Sequence, residues 1–248
     1  MRRSGQTTLT VPLYFTHIPK TAGTSFKQSI VFPNVASDKI LRFDGVRSLI
    51  KHRPQRFEFL EGHYPYGLHV FGDRSTPVIY LTILREPLER AVSHYYFIKQ
   101  CDMPDYQHPS LGDAKQWDIT GFYGLSKHQN LQTKYTAGLL AMKLTYWLPQ
   151  ALSGPLLLFQ AKYNLSKKYH LVGLVERMSE FQEMVAQKLG WRNLNLRDHS
   201  KVTQNRPRLA AMDDATKTSI LRGNQLDSQL YRFAQELFAS RMDRFNIR

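Results

Sequence analysis

One cysteine, Cys101, in 248 residues excludes an intramolecular disulfide and any cysteine-built metal cluster, and it suits a reducing compartment. Acidic side chains are scarce, with 20 Asp and Glu against 34 Lys and Arg, which leaves a formal net charge of +14. Long apolar runs are missing as well. The longest, Leu139 to Leu158, is broken by Lys143, Pro149, Gln150, Gly154 and Pro155, so nothing approaches the ~20 apolar residues of a membrane span. Residues 1–10 contain Arg2 and Arg3 but no signal-peptide apolar core, so we expect a flexible N-terminus and no secretion. Repeats, low-complexity tracts and an interdomain linker are also absent. What is present, 42% hydrophobic residues, excludes a disordered tail and is enough for one sizeable core, so we read residues 1–248 as a single domain.

The positive balance would serve a nucleic acid, an anionic membrane or a polyanionic small molecule. Lys and Arg run from Arg2 to Arg248, with only a modest cluster at Arg192, Arg197, Lys201, Arg206 and Arg208. A nucleic-acid stripe would concentrate them on one element, so no specific nucleic-acid partner is expected.

Leu13 to His17 reads as a strand that runs through Pro19-Lys20-Thr21-Ala22-Gly23-Thr24-Ser25 into a helix near Phe26. Pro77 to Leu84 is a nearly continuous β-branched, apolar run, as in a strand covered on both faces, and Pro87 then opens a helix with Leu88, Ala91, Val92 and Tyr95 at helical spacing. A shorter strand is expected at Phe57 to Leu60, ahead of Glu61-Gly62-His63, and another at His170 to Leu174 before a helix ended by Gly190. Leu226, Leu230, Phe233 and Leu237 form a helical core stripe, whereas residues 100–120 show no period and read as a surface excursion. Strands alternating with helices predict an α/β fold with a parallel sheet.

A strand, a glycine-bearing loop and a helix N-terminus together form an anion site, because backbone N–H groups and the helix dipole converge there. Lys20 adds a mobile charge, Thr24 and Ser25 add hydroxyls, and Gly23 permits close approach of a phosphate. The lysine precedes the glycine, so the nucleotide-binding pattern G-x-x-x-x-G-K-[ST] is absent and a kinase or ATPase of that type is disfavoured. His17 to Ser25 resembles the 5′-phosphosulfate loop of sulfotransferases. It is most similar to the carbohydrate branch that includes the uronic-acid and heparan sulfate 2-O-sulfotransferases and bacterial relatives. Leu84-Arg85-Glu86-Pro87-Leu88-Glu89-Arg90-Ala91-Val92-Ser93 resembles that family's 3′-phosphate motif, whose Arg and Ser map to Arg85 and Ser93. Looser similarities, at Asn130 to Lys134, Val172 to Arg177 and the loop from His199 to Arg208, extend the resemblance over about residues 13–240.

The resemblance implies a P-loop-like three-layer fold, with a central mostly parallel sheet flanked by helices. It also implies 3′-phosphoadenosine 5′-phosphosulfate (PAPS) as donor, adenosine 3′,5′-bisphosphate (PAP) as product and no required metal. Lys20, Thr21, Ala22, Gly23, Thr24 and Ser25 would hold the 5′-phosphosulfate, Arg85 and Ser93 the 3′-phosphate, and Lys201, Thr203 and Arg206 would close over the donor. An ion pair with Glu86 or Glu89 is the competing reading for Arg85. Sulfuryl transfer by in-line displacement needs a base for the acceptor hydroxyl, and His63 fits the position of a histidine assigned that role in the relatives. Their paired histidine arrangement is incomplete here because Glu61 occupies the first position, from which it could orient His63 or raise its pKa. Lys20 would stabilise charge on the bridging oxygen and sulfuryl group.

The expected enzyme acts on a glycan or related hydroxyl acceptor, and the charge favours an anionic one. The alternatives are a catalytically inactive PAPS- or PAP-binding protein and a basic nucleic-acid-binding protein. Animal Golgi members carry an N-terminal anchor that this chain lacks, so a bacterial cytoplasmic enzyme is expected, with a trimmed lumenal domain as the alternative. Acceptor specificity is expected from the loops Tyr64 to Thr76 and Gln100 to Thr133. Asn164-Leu165-Ser166 matches a glycosylation triplet by sequence alone.

Overall fold

The computed structural model describes residues 9, 11–51, 57–72, 76–103, 105–146, 148, 150–194 and 206–245. Strand β1 (Leu13–Thr16) leads into a helical segment that begins as α1 (Gly23–Phe26), widens to a π-helical stretch (Lys27–Val31) and ends as α2 (Phe32–Asn34). Then come β2 (Ile40–Arg42), α3 (Val46–Lys51), β3 (Phe59–Glu61), β4 (Ile79–Leu84) and α4 (Pro87–Gln100). The two-residue strands β5 (Asp102–Met103) and β6 (Tyr106–Gln107) precede α5 (Leu111–Gln116), α6 (Ile119–Gly124), α7 (Leu131–Ala137), α8 (Leu139–Tyr146) and α9 (Gln150–Lys167). Strand β7 (Leu171–Leu174), α10 (Met178–Leu189), α11 (Asp214–Gly223) and α12 (Gln225–Phe245) complete the described chain.

The main sheet has the order β2-β3-β1-β4-β7, and every neighbouring pair is parallel. This is the expected α/β architecture, a central parallel sheet flanked by helices. The apolar runs are its cause. Leu13 and Phe15 of β1, Leu81, Ile83 and Leu84 of β4, and Leu171 and Val172 of β7 are fully buried, each such side chain contributing roughly 1.5–3 kcal/mol relative to exposure. Parallel strands bring their carboxyl ends to one edge. The turns after β1, β3, β4 and β7 therefore meet there, and the chain crosses from β3 on one side of β1 to β4 on the other, the crevice where open α/β sheets bind ligands.

Local signals set the ends of several elements. Pro87 occupies the first turn of α4 while the Glu86 carboxylate accepts from the Leu88 and Glu89 amides, and α10 stops at Gly190, whose φ of 67° is costly for other residues. Gly173 in β7 lies under the Phe181 ring of α10, where a Cβ would come within 2.5 Å of ring carbons. Gly173→Ala is therefore expected to cost about 1–3 kcal/mol through overpacking, lowering the melting temperature by roughly 3–10 °C. A thermal melt that coincides with wild type would show that this contact gives way freely.

The central, mostly parallel sheet is as expected, and each neighbouring pair of its described strands is parallel. Two expectations are corrected. Residues 100–120, expected as a surface excursion, contain the β5-β6 ladder and α5, because Leu111, Ala114, Ile119 and Phe122 pack with Leu88, Val92, Tyr95 and Ile98 of α4 in a second core. Cys101, which the sequence places in a polar loop, is buried. Of residues 1–10 only Leu9 is described; it packs on the core and donates its N–H to Glu58 Oε2 at 3.2 Å. In α12 the deeply buried line runs through Asp227, Leu230, Ala234, Phe238 and Met242, with Phe233 and Leu237 at its margin. The short strand β2 has no sequence signal, since Ile40-Leu41-Arg42 is too brief to show a period.

Candidate active site

The loop after β1 is built from its own backbone. Lys20 and Ala22 both hold positive φ, 67° and 56°, a conformation that turns successive amides to one side, as in anion-binding nests. Thr21 is fully buried, and its hydroxyl donates to the Ile18 carbonyl at 2.9 Å, so this side chain shapes the loop and leaves anion contact to the amide. The helical segment begins at Gly23 without a side-chain cap, and its first bond is Phe26 N–H to the Ala22 carbonyl at 3.0 Å. The amides of Gly23, Thr24 and Ser25 thus form the positive end of the helix. Gly23 has a second reason to be glycine: a Cβ there would fall 2.3 Å from the His17 ring.

His17 and His63 meet across the β1 and β3 turns, with ring centroids 4.3 Å apart. His63 Nδ1 lies 2.8 Å from the His17 carbonyl oxygen. A carbonyl only accepts, so Nδ1 carries the proton and Nε2 keeps its lone pair. Although an edge of His63 is exposed, loss of hydration lowers its pKa from 6.5, the His17 carbonyl opposes that shift, Lys27 adds to it and Glu61 opposes it. Glu61 does not orient the ring by a direct bond. Its oxygens are taken by Lys27 Nζ at 2.7 Å and Arg42 Nε at 2.9 Å, and only its charge reaches His63, in the raising direction foreseen. A cleft of about 740 Å³ opens beside it, lined by Phe32, Val35, Ala36, Ser37, Ile40, Arg42 and Glu61.

Arg85, at the carboxyl end of β4, is gripped at its backbone by the buried Gln132 of α7, which accepts from Arg85 N–H and donates to its carbonyl, both at 2.9 Å. Its guanidinium pairs with Glu89 Oε2 at 2.9 Å, and Nη1 lies 3.4 Å from the Lys20 carbonyl. Arg206 reaches the same Glu89 oxygen at 2.7 Å. The Glu89 pairing weighed for Arg85 is therefore present, whereas Glu86 serves as the cap of α4. Glu89, Ser93 and Phe97 continue from Arg85 at four-residue spacing, one face of α4, and Lys20 Nζ sits 4.4 Å above the Phe97 ring. The two sequence motifs thus converge: Lys20 touches both ends of the stripe that carries Arg85 and buried Ser93.

Lys201 and Thr203 lie outside the described residues, so of the expected closing loop only Arg206 is placed. Two of the loosely similar segments, Asn130 to Lys134 and Val172 to Arg177, supply bonds that tie elements of the fold together. Asp227 accepts from the Gln132 and Thr133 amides and the Thr133 hydroxyl, and Glu176 accepts from the Glu86 amide and the Tyr231 hydroxyl. Lys27 was not singled out from sequence, Gln132 entered only within the loosely similar Asn130 to Lys134, and Glu89 only as a competing partner for Arg85. Tyr64 and Tyr95 are core residues, whereas Trp117 is exposed. Asn164 is buried, with its amide nitrogen donating to the Thr136 and Ala137 carbonyls, so the triplet presents no glycan acceptor in the fold.

Burial holds His17 and His94 well below the ordinary imidazole pKa, with neighbouring cationic and histidine groups acting in the same direction. Below pH 6.5 the unfolded chain takes up protons that these folded-state groups refuse, so stability falls as pH falls, by about 1.4 kcal/mol per pH unit for each group. Melting temperatures are expected to drop between about pH 7.5 and 5.5. A His94→Gln variant should show a smaller drop, the His17 share, and an unchanged drop would remove His94 from the effect.

With this geometry in place, comparison with known proteins is direct. Residues 10–246 match the family model described as Sulfotransferase family. Heparan sulfate 2-O-sulfotransferase 1 from Pongo abelii is 28% identical over 195 residues, 68% of this chain and 52% of that protein. The Gallus gallus protein of the same name is 28% identical over 197 residues, 69% and 52% respectively. Heparin sulfate O-sulfotransferase from Drosophila melanogaster is 27% identical over 258 residues, 90% of this chain and 71% of that protein. The chain spans about half the length of the vertebrate relatives. These relatives come from animals and lend no support to a bacterial cytoplasmic enzyme. Among the described residues no helix is long and apolar enough to cross a membrane. An anion loop after β1, an arginine after β4 and a match over nearly the whole sequence agree: the chain belongs to the sulfotransferase family of enzymes.

Proposed function

We propose that this protein transfers a sulfuryl group from PAPS to a hydroxyl of a carbohydrate or related acceptor. The observation that carries the reading is the 2.8 Å contact of His63 Nδ1 with the His17 carbonyl, which leaves a basic Nε2 at the edge of an anion-binding loop. The residues present fit the donor. The uncapped helix start at Gly23 with the amides of Thr24 and Ser25, and the cation of Lys20, suit its 5′ end, and Arg85, Ser93 and Arg206 suit its 3′-phosphate. When bound, the donor supplies an electrophilic sulfuryl group on a phosphate leaving group, open to in-line displacement.

The chain's own residues then divide the work. His63 Nε2 takes the acceptor proton as the oxygen becomes nucleophilic. Lys20, drawn toward α4 by Phe97, brings positive charge to the side where negative charge grows. Glu61, locked by Lys27 and Arg42, holds the β2 and β3 ends together beside the 740 Å³ cleft. We place the acceptor there, where the exposed Arg42 guanidinium favours an anionic glycan. This differs from the loops read as specificity elements in the sequence.

Calorimetric titration with PAP alongside ATP tests the donor, and an acceptor screen with labelled PAPS tests transfer. PAP binding that discriminates against ATP, followed by label transfer to a glycan, is the expected result. PAP binding without transfer to any glycan would favour the inactive-binder reading, and no PAP binding by folded protein would overturn both.

A further inference from the structure

Helices α8 and α9 pack against each other and α9 packs on α7, yet the outer face of this pair is apolar and open. Leu152, Leu156, Phe159 and Tyr163 recur at spacings of 4, 3 and 4 along α9, and Leu140 and Leu144 share one face of α8. Their exposures run from 43% for Tyr163 to 71% for Leu140. The inward face of α9 is satisfied by the core, through buried Leu157, Ala161 and Leu165. The open stripe is therefore not a misplaced core face. At roughly 180 Å² per large side chain, these six residues together expose roughly 600 Å² of apolar surface, at the top of the range for a monomer's largest patch.

We infer that this stripe is the contact through which two copies of the chain associate, helix pair against helix pair about a two-fold axis. The area fits: a stable interface covers roughly 800 Å² per partner, somewhat over half of it apolar. The composition fits also. Residues 144–161 contain no charged side chain, the depletion expected at the centre of a protein interface. A helix lying in a lipid surface would instead present a Lys- and Arg-rich polar face, and here the face opposite the stripe is buried in protein. The 4-3-4 repeat gives ridges that interdigitate with their own copy run antiparallel, so a second chain supplies a complementary surface without any further partner. Behind the stripe, α7 carries Gln132, which holds the Arg85 backbone, so association would brace the platform of the candidate donor site.

Sedimentation velocity over a roughly hundredfold concentration range tests this. Wild type is expected to show a species of twice the single-chain mass. A Leu156→Glu, Phe159→Glu double variant should weaken association by at least about 100-fold while keeping the wild-type circular dichroism spectrum and cooperative melt. Oxidised Leu156→Cys or Phe159→Cys protein should give a covalent dimer that wild type, with only buried Cys101, does not form. Three outcomes would overturn the inference: wild type running as a single chain throughout, dimers that survive the double glutamate substitution, or single chains that co-sediment with anionic vesicles through this stripe.

Discussion

Replacing His63 with alanine is expected to lower kcat by about 10²- to 10⁴-fold, the contribution of a positioned general base, while PAP affinity stays within about threefold of wild type. The separation follows from the geometry. His63 is anchored at one point, Nδ1 on the His17 carbonyl, and it belongs to the β3 turn, not to the loop that would hold phosphate. Its lowered pKa adds a second readout. If the neutral ring is the base, burial that lowers its pKa from 6.5 predicts a kcat/KM level through neutral pH that declines only on the acid side of 6.5. That limb should vanish from the residual activity of the variant. Wild-type turnover by His63→Ala would remove this histidine from the reaction and leave the resemblance as its only support.

Replacing Arg85 with alanine is expected to weaken PAP binding by about 100-fold, since a guanidinium on a phosphate makes charge-assisted bonds of roughly 1.5–3 kcal/mol each. The fold should survive. The Arg85 backbone is held by Gln132, independently of the side chain, and a partly exposed pair such as Arg85–Glu89 contributes only about 0–1 kcal/mol. Glu89→Gln supplies the contrast. Glu89 accepts from both Arg85 and Arg206, so it competes with an incoming phosphate for two cations, and its removal should leave PAP affinity unchanged or raise it. If Arg85 served only to pair with Glu89, the two substitutions would shift the melt equally and leave PAP binding unaltered. Calorimetry and melting on the two variants separate these cases.

The elements that announced themselves in the sequence are those whose local pattern and tertiary role coincide. Pro77 to Leu84 is apolar because both faces of β4 are covered, Glu86-Pro87 starts α4 by capping, and Gly190 ends α10 by its positive φ. The same holds for the turn after β1, whose glycine and positive-φ residues lie within nine consecutive residues. Strand β2 and the helices that fill residues 100–120 escaped because short elements have no period to read; β2 is held against the main core through Ile40 and Leu41, and the helices by the second core they share with α4.

What a linear pattern could not contain is the meeting of distant residues. Glu61 was legible as a departure from the paired histidines, but its locking by Lys27 and Arg42 depends on β2, β3 and the π-helical stretch being neighbours. The tautomer of His63 depends on a backbone carbonyl 46 residues earlier, and the competition at Glu89 depends on Arg206, 117 residues later. The sequence by itself determined the α/β class and marked the turn after β1, Arg85 and His63 as candidates, because helix caps, strand burial and backbone nests are local. Only the tertiary structure decided which proton His63 carries, what restrains Arg85 and which apolar stripe stays open, since hydrogen bonds and packing act over a few ångströms regardless of separation along the chain.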